Sequence, residues 1–260
     1  MPGHFDPRPQ TFPDKIGTGP KLSGTVLPPA SDRPKQPKAL VLCSGGVDST
    51  TLLAMAVDRY GAENVYALSI FYGQKHEREL EAAKQVAAYY GVEQRFLDLA
   101  PLFVESNSSL LANSSESIPH ETYAQQLESD QLVSTYVPFR NGLFLSSAAS
   151  IALSLDCSVV CYGAHRDDWA GAAYPDCSQE FVDAMAAAID QGTGGQLQLA
   201  APFVQWSKAQ IVAEGLKRSV PYDLTWSCYE GADRPCGTCA TCLDRQRAFE
   251  QNGTTDPLLK

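Results

Sequence analysis

The chain has 260 residues, 44% hydrophobic and 19% charged, with a formal net charge of −10. That length and balance suit one large α/β domain, or one domain with a small appendage. They count against a nucleic-acid grip, which rests on basic contacts to phosphate, and no apolar run reaches the ~18–20 residues of a membrane span. The N-terminus has no apolar h-region, so no secretory signal is expected. The eight cysteines are therefore read in a reducing compartment, the cytoplasm, where metal or catalytic roles outrank disulfides.

Residues 1–37 carry Pro2, Pro7, Pro9, Pro13, Pro20, Pro28, Pro29, Pro34 and Pro37 without helical or strand periodicity, and read as a disordered extension. Residues 39–43 form a short apolar run that suits a buried parallel strand. Ser44, Gly45 and Gly46 break it. Asp48, Ser49 and Thr50 then offer N-cap oxygens before a helix carrying Leu52, Leu53, Met55, Ala56 and Tyr60. Strand, glycine turn and helix N-terminus aim backbone N–H groups and the positive dipole end at one spot, which suits phosphate. No Lys follows the glycines, so this is not the G-x-x-x-x-G-K-[ST] loop, and G-x-G-x-x-G is missing.

A second strand is expected over residues 65–71, a helix over 77–90 ended by Gly91, and a third strand over 94–99. This βαβαβ pattern is that of a doubly wound parallel sheet, with ligands beyond the carboxyl ends of the strands. Residues 106–117 are a Ser/Asn-rich loop, long enough for a substrate lid. A small-residue helix is expected over 143–155, with Ser146, Ser147, Ala148, Ala149 and Ala152 packing on the sheet. Further elements are a strand over 158–162, a helix over 179–189, a short extended piece over 200–203 and a helix over 208–217 stopped by Val220-Pro221.

Cys228, Cys236, Cys239 and Cys242 follow as C-x7-C-x2-C-x2-C. Four close thiolates suit a closed tetrahedral Zn²⁺ site, and also an iron–sulfur cluster. Cys43, Cys157, Cys161 and Cys177 read as small buried hydrophobes. His4 and His120 are assigned to tail and loop.

The pattern Ser44-Gly45-Gly46-Val47-Asp48-Ser49 resembles the pyrophosphate loop of the N-type ATP pyrophosphatases. Added to it are Tyr72-Gly73-Gln74, Val137-Pro138-Phe139-Arg140-Asn141, Gly163-Ala164-His165, Tyr174-Pro175-Asp176-Cys177, Thr225-Trp226-Ser227-Cys228-Tyr229 and the cysteine cluster. Together they resemble the 7-cyano-7-deazaguanine synthase family over roughly residues 38–255. The resemblance implies an ATP pyrophosphatase α/β domain over 38–220 and a zinc-binding C-terminal segment over 221–260. It implies two ATP-driven steps, from 7-carboxy-7-deazaguanine and ammonia to an amide and then to the nitrile, a precursor of queuosine. It also favours Zn²⁺ over iron–sulfur.

The residues carried over are Ser44, Asp48, Ser49 and Arg140 for catalysis. The ATP site comprises Cys43, Ser44, Gly45, Gly46, Val47, Asp48, Ser49, Thr50, Thr51, Leu52, Leu53, Lys75 and His76, with Asp48 also a candidate Mg²⁺ contact. His165, Asp168, Tyr174 and Asp176 are expected to line the deazapurine pocket. A homodimer that binds neither nucleic acid nor membrane is expected. Alternatives are a relative that stops at the amide or joins another amine, a tRNA-thiolating ATP pyrophosphatase, and a nucleotide-sensing or zinc-scaffold module without turnover.

Overall fold

The computed structural model describes residues 37–120, 133–169 and 173–259. The expected N-terminal extension lies outside the described residues, apart from Pro37. Five parallel strands form one sheet in the order β3-β2-β1-β4-β5. They are β1 (Lys38–Leu42), β2 (Val65–Phe71), β3 (Glu93–Asp98), β4 (Cys157–Cys161) and β5 (Gln198–Ala200). The α-helices among the described residues are α1 (Val47–Tyr60), α2 (Arg78–Tyr90), α3 (Arg140–Ser154), the single turn α4 (Arg166–Trp169), α5 (Gln179–Gly192), α6 (Lys208–Lys217) and α7 (Ala240–Gln251).

The near-continuous apolar run of β1 follows from burial on both faces. Ala39, Val41 and Cys43 join Leu52 and Leu53 of α1, Ala83 and Val86 of α2 and Ile211 of α6. Leu40 and Leu42 join Leu145 and Ala148 of α3 and Val182 and Ile189 of α5. Leu40, Leu52 and Leu53 are fully buried, each contributing about 1.5–3 kcal/mol. Helix α1 leads from β1 to β2, whereas β4 lies on the other side of β1. The chain therefore switches direction between β1 and β4, where such sheets open a crevice.

Several expectations shift. Helix α1 starts at Val47 with Gly46 as N-cap and no side-chain cap, so Asp48, Ser49 and Thr50 lie inside the helix. Helix α3 starts at Arg140 rather than 143, and Ser146 faces solvent, its hydroxyl returned to the Gly142 carbonyl. Helix α7, with no sequence expectation behind it, begins amid the cysteines. Its apolar pattern is weak because it buries a charged residue, Arg245. The 106–117 loop is docked rather than loose. Leu110 and Leu111 are buried, and Leu111 bridges to Gln74. No described residue between 100 and 137 lines the cavity.

Candidate active site

Gly45 has φ +85°, a left-handed conformation that glycine takes without strain. A Cβ there would stand 2.4 Å from the Ala83 nitrogen and 2.5 Å from the Glu79 carbonyl. The turn thus presses against α2, and only glycine fits. The first helical bond of α1 runs from the Thr50 N–H to the Gly46 carbonyl at 3.1 Å. The N–H groups of Val47, Asp48 and Ser49 have no intrahelical acceptor. Ser49 Oγ braces the turn by accepting from the Ser44 N–H at 3.2 Å and meeting Ser44 Oγ at 3.1 Å. Ser44 itself is exposed at the cavity mouth.

A charged cluster stands behind this loop. Lys208 Nζ lies 3.2 Å from Asp48 Oδ2. Buried His165 places Nε2 3.5 Å from the same oxygen and 3.3 Å from Asp168 Oδ1. Burial alone would push the Asp48 carboxyl up. Lys208 and His165 overcome it and hold the carboxyl well below the usual range. Burial likewise works against the His165 imidazolium, but Asp168 and Asp48 raise its pKa above the ordinary value. Asp48 Oδ1 is buried without a hydrogen-bond partner among the described residues.

Lys208 is a residue the sequence reading used only as a helix start. It is the first residue of α6, whose N-terminus is closed by a Ser207–Gln210 capping box and by Asp167, which accepts from the Lys208 N–H at 2.8 Å. A cation in a first turn opposes the helix dipole. That mismatch was the available signal that something anionic faces it.

The other end of the cavity is aromatic and cationic. Arg140 lies 5.1 Å from the Tyr72 ring centre and 5.8 Å from that of Phe144. Its Nε is buried and has no hydrogen-bond partner among the described residues. Phe139, at φ +53°, turns the chain into α3 and so begins the helix on Arg140. Asp176 is buried and does not reach the cavity wall. Its carboxylate accepts the Asn141 N–H at 3.0 Å, which fixes the N-terminus of α3. Tyr174 lines the cavity, its hydroxyl 2.5 Å from Thr135 Oγ1. Cys177 also lines it. Burial pushes its thiol well above the ordinary range, which rules against a thiolate there.

The cavity wall includes Cys43, Ser44, Gly46, Asp48, Ser49, Arg140, Asp168 and Tyr174 from the expected set. Gly45, Val47, Thr50, Thr51, Leu52 and Leu53 are not on the wall. Gly45 shapes the turn, and the others are buried in the helix that carries the loop. His165 sits under the charged cluster rather than in a base pocket. Lys75 and His76 stand elsewhere. Lys75 Nζ donates to the Glu116 carbonyl at 2.6 Å, and His76 is wedged under Gly231 beside the cysteines. Burial depresses the His76 pKa against hydrogen bonds with the Tyr229 and Cys228 backbone.

Cys228, Cys236, Cys239 and Cys242 offer four sulfurs within 4.8 Å of one another. All four thiols are free, and Cys236 and Cys242 are 4.0 Å apart at sulfur, far beyond a disulfide bond of about 2.05 Å. A tetrahedral ion with bonds of about 2.3 Å would space them by roughly 3.8 Å. The Cys236 and Glu230 N–H groups point at Cys228 Sγ, and the Cys239 N–H points at Cys236 Sγ. Such donors suit thiolates. The donor set fits a bound metal. The segment leading into it crosses the glycine turn, where the Trp226 N–H donates to the Gly45 carbonyl.

No described helix is long and apolar enough to cross a membrane. Against known proteins, residues 38–253 match the model of the family described as queuosine biosynthesis protein QueC. The chain is 43% identical over 223 residues to the 7-cyano-7-deazaguanine synthase of Archaeoglobus fulgidus, covering 85% of this chain and 90% of that one. It is 41% identical over 221 residues to the enzyme of the same name from Marinomonas sp. (85% and 97%), and 42% over 221 to that of Caldicellulosiruptor saccharolyticus (85% and 94%). The parallel sheet, the glycine turn at its switch point and the four-cysteine segment thus accompany a match that spans the whole described domain, and the chain belongs to the QueC family of queuosine biosynthesis proteins.

Proposed function

We propose that the chain makes 7-cyano-7-deazaguanine from 7-carboxy-7-deazaguanine and ammonia, driven by ATP in two stages and releasing AMP and pyrophosphate. The observation that carries this is one continuous cavity with a phosphate end and an aromatic, cationic end. The N–H groups of the α1 N-terminus, Ser44, Ser49 and Lys208 form the first. Arg140, Tyr72, Phe144 and Tyr174 form the second.

The substrate carboxylate is a poor electrophile. ATP converts it to an acyl adenylate with loss of pyrophosphate, whose growing charge meets the loop and Lys208. Ammonia displaces AMP to give the amide. A second adenylation, on the amide oxygen, makes AMP the leaving group for nitrile formation. Arg140 stands where it would hold the substrate carboxylate or the adenylate. The aromatic rings offer a stacking face for the base. The unpartnered oxygen of Asp48 fits the magnesium that accompanies ATP. Asp176 and His165 act by position, one fixing α3 and the other spacing Asp48 from Asp168.

The four cysteines are assigned to a structural Zn²⁺, since four thiolates leave no open ligand position. They also suit iron–sulfur, which metal analysis separates. The eight free thiols support a cytoplasmic setting. Phe96 of edge strand β3, with Leu102 and Val104, is more than half exposed, apolar surface that a second copy in a homodimer would cover. The net charge of −10 speaks for a small-molecule substrate over tRNA.

The test is nucleotide analysis after incubation with ATP, magnesium, ammonium and 7-carboxy-7-deazaguanine. AMP and pyrophosphate that appear only with the deazapurine support the reading. ADP and phosphate, or AMP independent of the base, would refute it.

A further inference from the structure

Glu79 is an acidic side chain of this cavity that no step above uses. It sits in the first turn of α2 and shares the cavity wall with Arg140, Tyr72 and Tyr229. Its main-chain oxygen is packed against the phosphate turn, where a Cβ on Gly45 would come within 2.5 Å. Its carboxyl and the Arg140 guanidinium attract one another across the cavity. Glu79 therefore stands between the loop that handles phosphates and the arginine and rings that face the base. That junction is where the carbon joined to AMP must lie.

Both nitrogen steps need a base. Ammonia adds to the acyl adenylate as a cationic nitrogen and must lose a proton. The adenylated amide must lose both of its N–H protons before it becomes a nitrile. We propose that Glu79 is the proton acceptor for both steps. The assignment rests on the reaction proposed above.

In the first step the ammonia lone pair forms the C–N bond. The Glu79 carboxylate takes an N–H proton, and the C–O bond to AMP breaks with its electron pair leaving on AMP. Glu79 returns that proton to solvent. In the second step the amide oxygen displaces pyrophosphate from ATP, giving an adenylated, protonated imidate. Glu79 takes one N–H proton to give the neutral imidate and again releases it to solvent. It then takes the last N–H proton while that electron pair becomes the third C–N bond and AMP departs with the oxygen.

The environment suits the task. Burial pushes the Glu79 carboxyl up to about 7, against the opposing pull of Arg140. A base works best when its pKa lies near the working pH. The groups facing it are Arg140 from α3 and Tyr72, the residue after β2, with burial raising the Tyr72 hydroxyl to about 12. Neither accepts a proton near neutrality.

The experiment is Glu79→Gln, which keeps shape and removes the base. Two rates are followed, substrate-dependent ATP–pyrophosphate exchange and nitrile formation. Exchange needs no proton transfer from nitrogen and should stay near the wild-type rate, which also shows that the variant folds. Nitrile formation should fall by about 10²–10⁴-fold, and its residual rate should lose the rise with pH through neutrality that is expected of wild type. Normal nitrile formation would overturn the assignment. So would a raised KM for the deazapurine at unchanged kcat, because Glu79 would then read the base. An equal loss of exchange and nitrile formation would place its role in binding or in the loop, and would also overturn it. A wild-type protein that leaves the deazapurine untouched refutes the reaction itself rather than the choice of base.

Discussion

The main-chain N–H of Trp226 donates a 2.9 Å hydrogen bond to the carbonyl of Gly45. One residue shapes the glycine turn before α1. The other lies two positions before the first cysteine of the metal-fitting cluster. Trp226 is held in turn by its indole N–H, which donates to the Cys228 carbonyl at 2.8 Å. The neighbouring Thr225 accepts from buried Arg245 at 2.7 Å, and Arg245 is paired with Asp256 through two bonds of 2.7 and 2.8 Å. The C-terminal segment is therefore part of the cavity wall, to which it gives Trp226, Ser227, Tyr229 and Thr241.

Removing the metal should loosen the phosphate turn as well as the segment. Cys239→Ser is expected to lose the metal and to lower the melting temperature, because binding energy of a structural metal is folding energy. Each kcal/mol lost lowers Tm by about 2–4 °C in a domain of this size. Pyrophosphate exchange should fall together with metal content in a chelator titration. Unchanged Tm and exchange in metal-free protein would contradict this.

Gly45→Ala should be among the most damaging single-methyl changes in the chain. It forces a side chain into a left-handed conformation and drives a Cβ against the α2 backbone. Together these cost roughly 2–5 kcal/mol, a left-handed penalty of 1–2 and overpacking of 1–3. The denaturation midpoint in urea measures the loss. Gly46→Ala, whose Cβ would meet only ordinary contacts at 3.6 Å, is the control and should cost much less.

Lys208→Met keeps length and removes the charge that faces Asp48. Turnover is expected to fall by about 10²-fold or more, the scale of losing one preorganised charge contact. The deazapurine should still bind, since the aromatic end is untouched. Equilibrium binding of the base beside steady-state AMP release separates the two. Lost base binding with normal ATP use would reverse the assignment of the two ends.

The His165 pKa is raised in the folded protein by Asp168 and Asp48 against the effect of burial. The native state therefore holds a proton that the unfolded chain has released. This contribution to stability is complete below the ordinary histidine value of about 6.5 and is lost as pH rises through the raised native value. Tm should drop across that window, and His165→Gln should flatten the drop. A wild-type Tm that rises with pH there would exclude a charged His165.

The fold was legible because its signals are local and periodic. The glycine turn after a short apolar run located β1 and α1. Gly61 and Gly91 marked the ends of α1 and α2, and β2 and α6 have the expected bounds. Helix α7 was hidden because its buried face includes Arg245 and the metal-fitting Cys242 rather than a continuous apolar stripe. At the site, residues next to the glycines could be placed, since backbone geometry ties them to the turn. Lys208 and Glu79 could not, since each is far from the loop in one sense or the other. Lys208 is 160 positions beyond Asp48 in sequence, and only the sheet order brings the two within 3.2 Å. Glu79 reads as an ordinary acidic first-turn residue, and only folding puts it against Gly45. Lys75 and His76 also follow a strand's carboxyl end, yet they turn toward the Ser/Asn-rich loop and the cysteine segment.

The most direct measurement is the mass of the deazapurine after the protein is incubated with 7-carboxy-7-deazaguanine, ATP, magnesium and ammonium. The nitrile is expected, with the amide as a transient and two AMP formed per nitrile. An amide that accumulates without nitrile, or a deazapurine that returns unchanged while ATP is consumed, would contradict it.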